Sequence, residues 1–200
     1  MPRFVVQVTF ILTLLTSSSI RCEDSKKLSQ ESAELVQLFG QMKSNPMDST
    51  LRFAFLNAFP KDKDEFIRIF HPEDLGELYD SSYEYVLKIG DIMKWHKERV
   101  GPLLISITRD GAPGCCDAWS WLHGVTTEFA LQHTSLFMSL LDQITEEESE
   151  LVIEFIADKE NHYYFEKYQL IIDKLKEMDE ILMAKRFDDA RIRRKAKRDH

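Results

Sequence analysis

The sequence predicts an all-α protein, built as an irregular multi-helix bundle or a stack of helix pairs. Apolar residues recur three and four positions apart along most of the chain, which is the spacing of one helix face. Only seven glycines and six prolines occur among the 200 residues, so the breaks leave segments long enough for helices. The short apolar run 103–107 could also be a buried strand, but the chain offers no second strand to pair with it. We therefore predict a helical turn there.

Two helices are predicted at the start of the folded part. The first covers residues 28–42, and Pro46 follows soon after its end because proline cannot continue a helix. Asp48 or Ser49 can cap the second helix, since both side chains accept hydrogen bonds from free backbone N–H groups. Pro60 stops this second helix.

Three residue pairs match the capping box, in which an N-cap side chain and an acidic residue three positions later satisfy free N–H groups. They are Asp62 with Glu65, Ser81 with Glu84, and Thr145 with Glu148. Each pair predicts the start of a helix. The helix that follows Ser81 is expected to be interrupted at Gly101-Pro102.

The last predicted helix is long: it starts near Asn161 and runs past Arg186. Its apolar side chains alternate at intervals of four and three, which predicts a buried seam against the body of the protein. The seam consists of Tyr164, Tyr168, Ile171, Leu175, Met178 and Leu182. Beyond Phe187 only Ile192 would sustain packing, so we predict a solvated basic tail over residues 185–200.

The first 22 residues are typical of a secretory signal peptide. Arg3 precedes an apolar run at 4–15, and small residues follow at 16–19. The run is shorter than the roughly 20 residues of a membrane-spanning helix. We therefore predict a signal peptide at 1–22, cleaved near Ser19 or Cys22, one helical domain at 23–184 and the tail at 185–200. The expected location is secreted or periplasmic, with no transmembrane helix.

The net charge of −8 is unevenly distributed along the chain. Residues 185–200 hold eight Lys or Arg and three Asp, a balance of +5, and Arg3 and Arg21 add +2. Residues 23–184 therefore carry −15. An acidic body argues against nucleic acid as the main partner, because phosphates need a positive surface. It favours a basic protein as partner, although the same charge also serves solubility alone.

The three cysteines are Cys22, Cys115 and Cys116. An exported chain meets an oxidising compartment, so all three are disulfide candidates. Cleavage before or after Cys22 decides whether that residue can pair with either of the others. A packed or disulfide-bonded pair at a helix start is the default interpretation of Cys115 and Cys116.

A nucleophilic cysteine is the catalytic alternative. Cys116 follows a glycine-containing loop at a predicted helix N-terminus, where the helix dipole favours the thiolate. Its partners would be Asp117 and one histidine, either His123, His133 or His162. His123 is seven residues from Cys116, or about 10 Å along a helix, which is too far for a direct hydrogen bond.

Two other groups of residues contain side chains of the kind found in sites. Trp119 and Trp121 are either core residues or anchors for a binding partner, because exposed tryptophan often dominates an interface. Glu160, His162 and Glu166 are of ligand type but lack the short paired spacing of a zinc site. We therefore predict neither a metal site nor a cofactor.

Four short stretches resemble a group of uncharacterised helical proteins from bacteria of the Bacteroidota type. They are Phe59-Pro60, Leu78-Tyr79-Asp80-Ser81, the loop 110–117 and Glu154-Phe155-Ile156. The similarity covers roughly residues 50–175. It implies an all-helical domain and carries no assigned activity.

An exported, compact, acidic chain without a complete catalytic set favours a protein that acts by protein–protein binding. An immunity-type inhibitor of a basic toxin is one concrete version of this prediction. Two alternatives stay open. One is a cysteine-dependent hydrolase that uses Cys116, and the other is a structural, envelope-associated module that uses the basic tail as a tether.

Overall fold

The computed structural model describes residues 28–71, 76–111, 117–157 and 162–198, and within these ranges the regular structure is entirely helical. The elements are α1 (Gln30–Ser44), α2 (Ser49–Ala58), α3 (Lys63–Phe70), a 3₁₀ turn (Tyr79–Ser81), α4 (Ser82–Thr108), α5 (Asp117–Gln132), α6 (Thr134–Leu141), α7 (Glu146–Ala157), α8 (His162–Glu177) and α9 (Ile181–Arg198). The predicted all-α multi-helix fold is confirmed. The predicted signal peptide at 1–22 lies outside the described residues. No helix in the described ranges has the length and apolar character needed to cross a membrane.

The local capping chemistry matches the sequence at most helix starts. Thr145 and Glu148 form the predicted reciprocal box: the Thr145 hydroxyl accepts from the Glu148 N–H at 3.2 Å, and the Thr145 N–H donates to the Glu148 carboxylate at 2.9 Å. The Asp48 carboxylate accepts from two N–H groups at the start of α2. Ser81 is the N-cap of α4 but makes no capping hydrogen bond with its side chain. Its predicted partner Glu84 instead pairs with Lys43 at 2.6 Å.

Helix α4 lies at the centre of the described helices, in contact with α2, α3, α5, α6 and α7. Around it the core is rich in phenylalanine. The fully buried phenylalanines are Phe55, Phe59, Phe66, Phe70, Phe129, Phe137 and Phe187. Burial of one such side chain contributes about 1.5–3 kcal/mol, so hydrophobic packing is the main source of stability here.

The predicted interruption at Gly101-Pro102 was wrong, because α4 continues through both residues to Thr108. The departure from helical geometry lies earlier, at His96, where φ is −136° and ψ is 42°. Gly101 has a different role from a helix breaker. A Cβ atom at this position would lie 2.4 Å from Cζ of Phe129 and 2.8 Å from Cδ1 of Leu140. Glycine is therefore required where α4 approaches α5 and α6.

The C-terminal segment forms two helices rather than the one long helix that the spacing predicted. Helix α8 ends at Glu177, and Asp179 adopts a left-handed conformation with φ of 64°. The Glu180 N–H donates to the Leu175 carbonyl at 2.9 Å, and the Asp179 N–H donates to the Lys176 carbonyl at 3.1 Å. This pair of bonds is the Schellman motif, which ends a helix and turns the chain.

The reversal makes α8 and α9 an antiparallel helical hairpin. The Tyr168 hydroxyl on α8 donates to the Phe187 carbonyl on α9, and Arg191 reaches the Gln169 amide oxygen at 3.3 Å. Burial raises the pKa of Tyr168 far above its ordinary value, which keeps this hydroxyl a neutral donor. The hairpin thus carries α9 back along α8.

The basic segment predicted to be solvated is packed over residues 185–194. Phe187 and Ala190 are buried. Arg186 donates to Glu150 at 2.6 Å and to the Ser149 hydroxyl at 2.8 Å. Arg193 binds both Glu150 and Glu154 on α7. The prediction failed because it counted large apolar residues and did not anticipate that the arginines would find carboxylate partners on a neighbouring helix.

We expect Gly101→Ala to lower the free energy of unfolding by about 1–2 kcal/mol, because the added methyl group overpacks the contact with Phe129 and Leu140. Urea denaturation measures the change. Gly40→Ala is the matched control, since nothing lies within 4 Å of a Cβ at this exposed helical position. The control should raise stability by about 0.5–1 kcal/mol through helix propensity. Equal stabilisation by both substitutions would contradict the close approach at Gly101.

We expect Asp179→Gly to raise the free energy of unfolding by about 0.5 kcal/mol. Glycine avoids the steric penalty of a Cβ in the left-handed region, and this gain slightly exceeds its greater entropy in the unfolded chain. Thermal or urea denaturation measures the difference from the wild type. Asp179→Ala, which keeps the Cβ and removes the carboxylate, should show no such gain.

Candidate protein-binding surface

The residues of the predicted cysteine site are only partly within the described ranges. Cys22, Cys115 and Cys116 lie outside them. Asp117 is the first residue of α5 and is exposed. His123 is buried, its ring meets Phe155 edge-on at 5.5 Å, and its Nε2 lies 3.0 Å from the Ile156 carbonyl oxygen. Because a carbonyl only accepts, Nε2 is the donor. This bond links α5 to α7.

The other two candidate bases, His133 and His162, lie elsewhere in the chain. His133 precedes α6, is half-buried and contacts the Phe129 ring at 5.6 Å. Burial lowers the pKa of His133, and the positive charges of Lys97 and Lys174 act in the same direction against the opposing Glu98. The side chain of His162 is outside the described residues, as is Glu160. The described residues contain no group of three or more His, Cys, Asp or Glu side chains that could hold a metal ion.

The two tryptophans singled out in the sequence occupy different environments. Trp119 is buried, with its ring 4.8 Å from Phe66 and 6.0 Å from Phe155. Trp121, two positions later on α5, is exposed, and its ring centroid lies 6.4 Å from that of Tyr83 on α4. Trp121 is therefore the member of the pair that a partner could reach.

Helix α4 also exposes large side chains, but charged groups lie between them. Leu87 and Trp95 are both exposed on this helix. Asp91, between them, forms ion pairs with Lys88 and Lys94. Single exposed apolar residues separated in this way are ordinary on protein surfaces.

A more concentrated apolar surface lies where α8 turns into α9. Met178, Ile181 and Leu182 are 37%, 56% and 81% exposed, and all three fall within five consecutive residues. We refer to these three residues as the α8–α9 tip. The left-handed turn at Asp179 places them there, because it ends the helical register in which Met178 and Leu182 would have continued the buried seam.

Carboxylates surround the α8–α9 tip. Glu177, Asp179 and Glu180 are exposed in the turn itself. Helix α7 runs parallel to α9, as the contacts of Arg186 with Glu150 and of Arg193 with Glu154 show. The N-termini of α7 and α9 therefore lie at the same end of the pair, which places the exposed Glu146 and Glu147 at the end where Leu182 lies.

These five carboxylates make no ion pair within the described part of the chain. The lysines in the same region are Lys176 and Lys185, both exposed. The tip is thus an aliphatic surface in a locally negative field. Sequence reasoning missed it, because the spacing of Met178 and Leu182 matches a buried helix face. The turn has no clear mark in the sequence, because residues 178–180 (Met-Asp-Glu) contain no glycine or proline.

No family model, no curated protein and no solved structure matches the chain. The resemblance to helical proteins of the Bacteroidota type thus stays a prediction.

We expect the stability of the protein to fall as the pH decreases from about 7 to about 5.5, in part because of His133. A histidine with a lowered folded-state pKa binds its proton less readily when folded, so protonation below the unfolded value of 6.5 favours unfolding. Urea midpoints of the wild type and His133→Gln across this range measure the effect. The variant should lose less stability on acidification. An identical pH dependence for both proteins would contradict the assignment.

Proposed function

We propose that this protein acts by binding another protein through the α8–α9 tip. The observation that carries the proposal is the exposure of three neighbouring aliphatic side chains, Met178, Ile181 and Leu182, on one turn. Transfer of one such side chain from water into an interface is worth about 1.5–3 kcal/mol. Concentrated apolar surface with a polar rim is characteristic of protein interaction sites.

The charge of the chain supports a basic protein as partner. Residues 23–184 carry −15, and the unpaired carboxylates around the tip place part of that charge beside the apolar surface. Such a field speeds the association of a positively charged partner. An immunity-type inhibitor that neutralises a basic toxin outside the cytoplasm is the concrete form of this proposal.

The two alternative functions gain less support. A hydrolase using Cys116 and Asp117 requires a histidine as base, and the Nε2 of His123 is already engaged with the Ile156 carbonyl. An envelope module tethered by its basic tail needs cations that are free to meet a surface. Arg186 and Arg193 are instead bound to carboxylates on α7.

A pull-down from the exporting compartment at low ionic strength tests the proposal. The immobilised wild-type protein should retain a specific partner that the double variant Ile181→Ser/Leu182→Ser loses, because two aliphatic contacts are removed from the interface. Ile192→Ser is the matched control: Ile192 is also exposed on α9, at 61%, but lies about 15 Å further along the helix. Retention of the same partner by the double variant would overturn the assignment to the tip.

A further inference from the structure

The geometry of the tip limits what its partner can present. Exposed carboxylates come to this end of the hairpin from two elements. Glu146 and Glu147 belong to the first turn of α7, which runs parallel to α9, and Glu177, Asp179 and Glu180 belong to the turn from α8. A segment that covers Ile181 and Leu182 therefore approaches carboxylates of both elements.

We infer that the α8–α9 tip recognises a short cationic segment that carries aliphatic side chains flanked on both sides by lysine or arginine, and that Asp179 helps to select it. An aliphatic group alone would bury part of the tip but would leave the surrounding carboxylates without partners. A cation alone would leave Leu182 in water. The two requirements together distinguish this ligand from a purely apolar or purely basic one.

Asp179 provides an independent argument for this selection. Its φ of 64° lies in the left-handed region, where glycine is favoured at the position that ends a Schellman motif. The chain instead holds a carboxylate, at the centre of the exposed turn. A residue that lowers stability at a surface position is expected where it serves binding.

This inference rests on the proposed function, because it names the partner chemistry of the same surface. The occupant that it names is a separate protein and not a second copy of the chain. Helix α9 itself carries Arg and Lys near its C-terminal end, so head-to-tail association is the competing possibility. It would make the chain form concentration-dependent oligomers that Leu182→Ser dissociates.

The test uses three fluorescent synthetic peptides and the intact chain. The first peptide has leucines flanked by lysines, the second replaces the lysines by glutamine, and the third replaces the leucines by serine. Fluorescence anisotropy at low ionic strength measures the Kd of each. We expect the leucine–lysine peptide to bind most tightly, and its affinity to weaken with added salt.

Variants locate the binding. Leu182→Ser should raise the Kd of the leucine–lysine peptide about tenfold. Asp179→Gly and Glu147→Gln should each raise it about threefold. Ile192→Ser and Glu34→Gln are the matched controls, because both residues are exposed and lie on surfaces away from the tip, and neither should change the Kd.

Five results would overturn the inference. Equal affinity for the lysine and glutamine peptides would remove the selection by charge. Unchanged binding by Asp179→Gly would remove the role of Asp179, and equal weakening by Glu34→Gln and Glu147→Gln would show a nonspecific field. Sedimentation that reveals an oligomer dissociated by Leu182→Ser would identify a second copy as the occupant. Failure of the peptides together with partner loss in the Ile181→Ser/Leu182→Ser pull-down would refute the inference alone, since the proposed function would then stand.

Discussion

The reversal of the chain at Asp179 is the constraint on which the C-terminal third of the structure depends. Two backbone hydrogen bonds close the end of α8, from Asp179 to Lys176 and from Glu180 to Leu175. They require one residue in the left-handed region, and that residue turns α9 back along α8. Without this turn a continuous helix would carry the basic residues away from the body, and α9 could not reach the carboxylates of α7. The same turn ends the buried seam and exposes Leu182.

Packing and ion pairs then hold the returned helix in place, and their contributions differ in kind. The buried side chains of Phe187 and Ala190 supply the larger share, since burial of one phenylalanine is worth about 1.5–3 kcal/mol. The pairs of Arg186 and Arg193 with Glu150 are partly exposed, and such pairs contribute little each. These ion pairs instead fix the position of α9 along α7, because Arg193 reaches both Glu150 and Glu154 only when α9 lies parallel to α7. This arrangement places the N-terminus of α7, with its carboxylates, beside the tip.

The sequence was sufficient for the fold class and for most helix starts, but not for the candidate site. Helical spacing correctly placed Tyr168, Ile171 and Leu175 in the core, because these residues share one uninterrupted helix. It failed for Met178 and Leu182, since a left-handed aspartate leaves no mark as clear as glycine or proline. The interruption expected at Gly101 failed for a related reason. A glycine that allows two helices to approach cannot be distinguished by sequence alone from one that ends a helix.

The candidate residues of the sequence and the exposed residues of the α8–α9 tip differ in whether they stabilise the folded chain. Trp119 and His123 follow the cysteines in the sequence, and both are buried where they join α5 to its neighbours. A left-handed aspartate does the opposite, because its Cβ carries a steric penalty that glycine avoids. Leu182 leaves most of an aliphatic side chain in water, so it adds little to the packing of the isolated chain. The proposed binding would account for both residues, since a partner would bury Leu182 and neutralise Asp179.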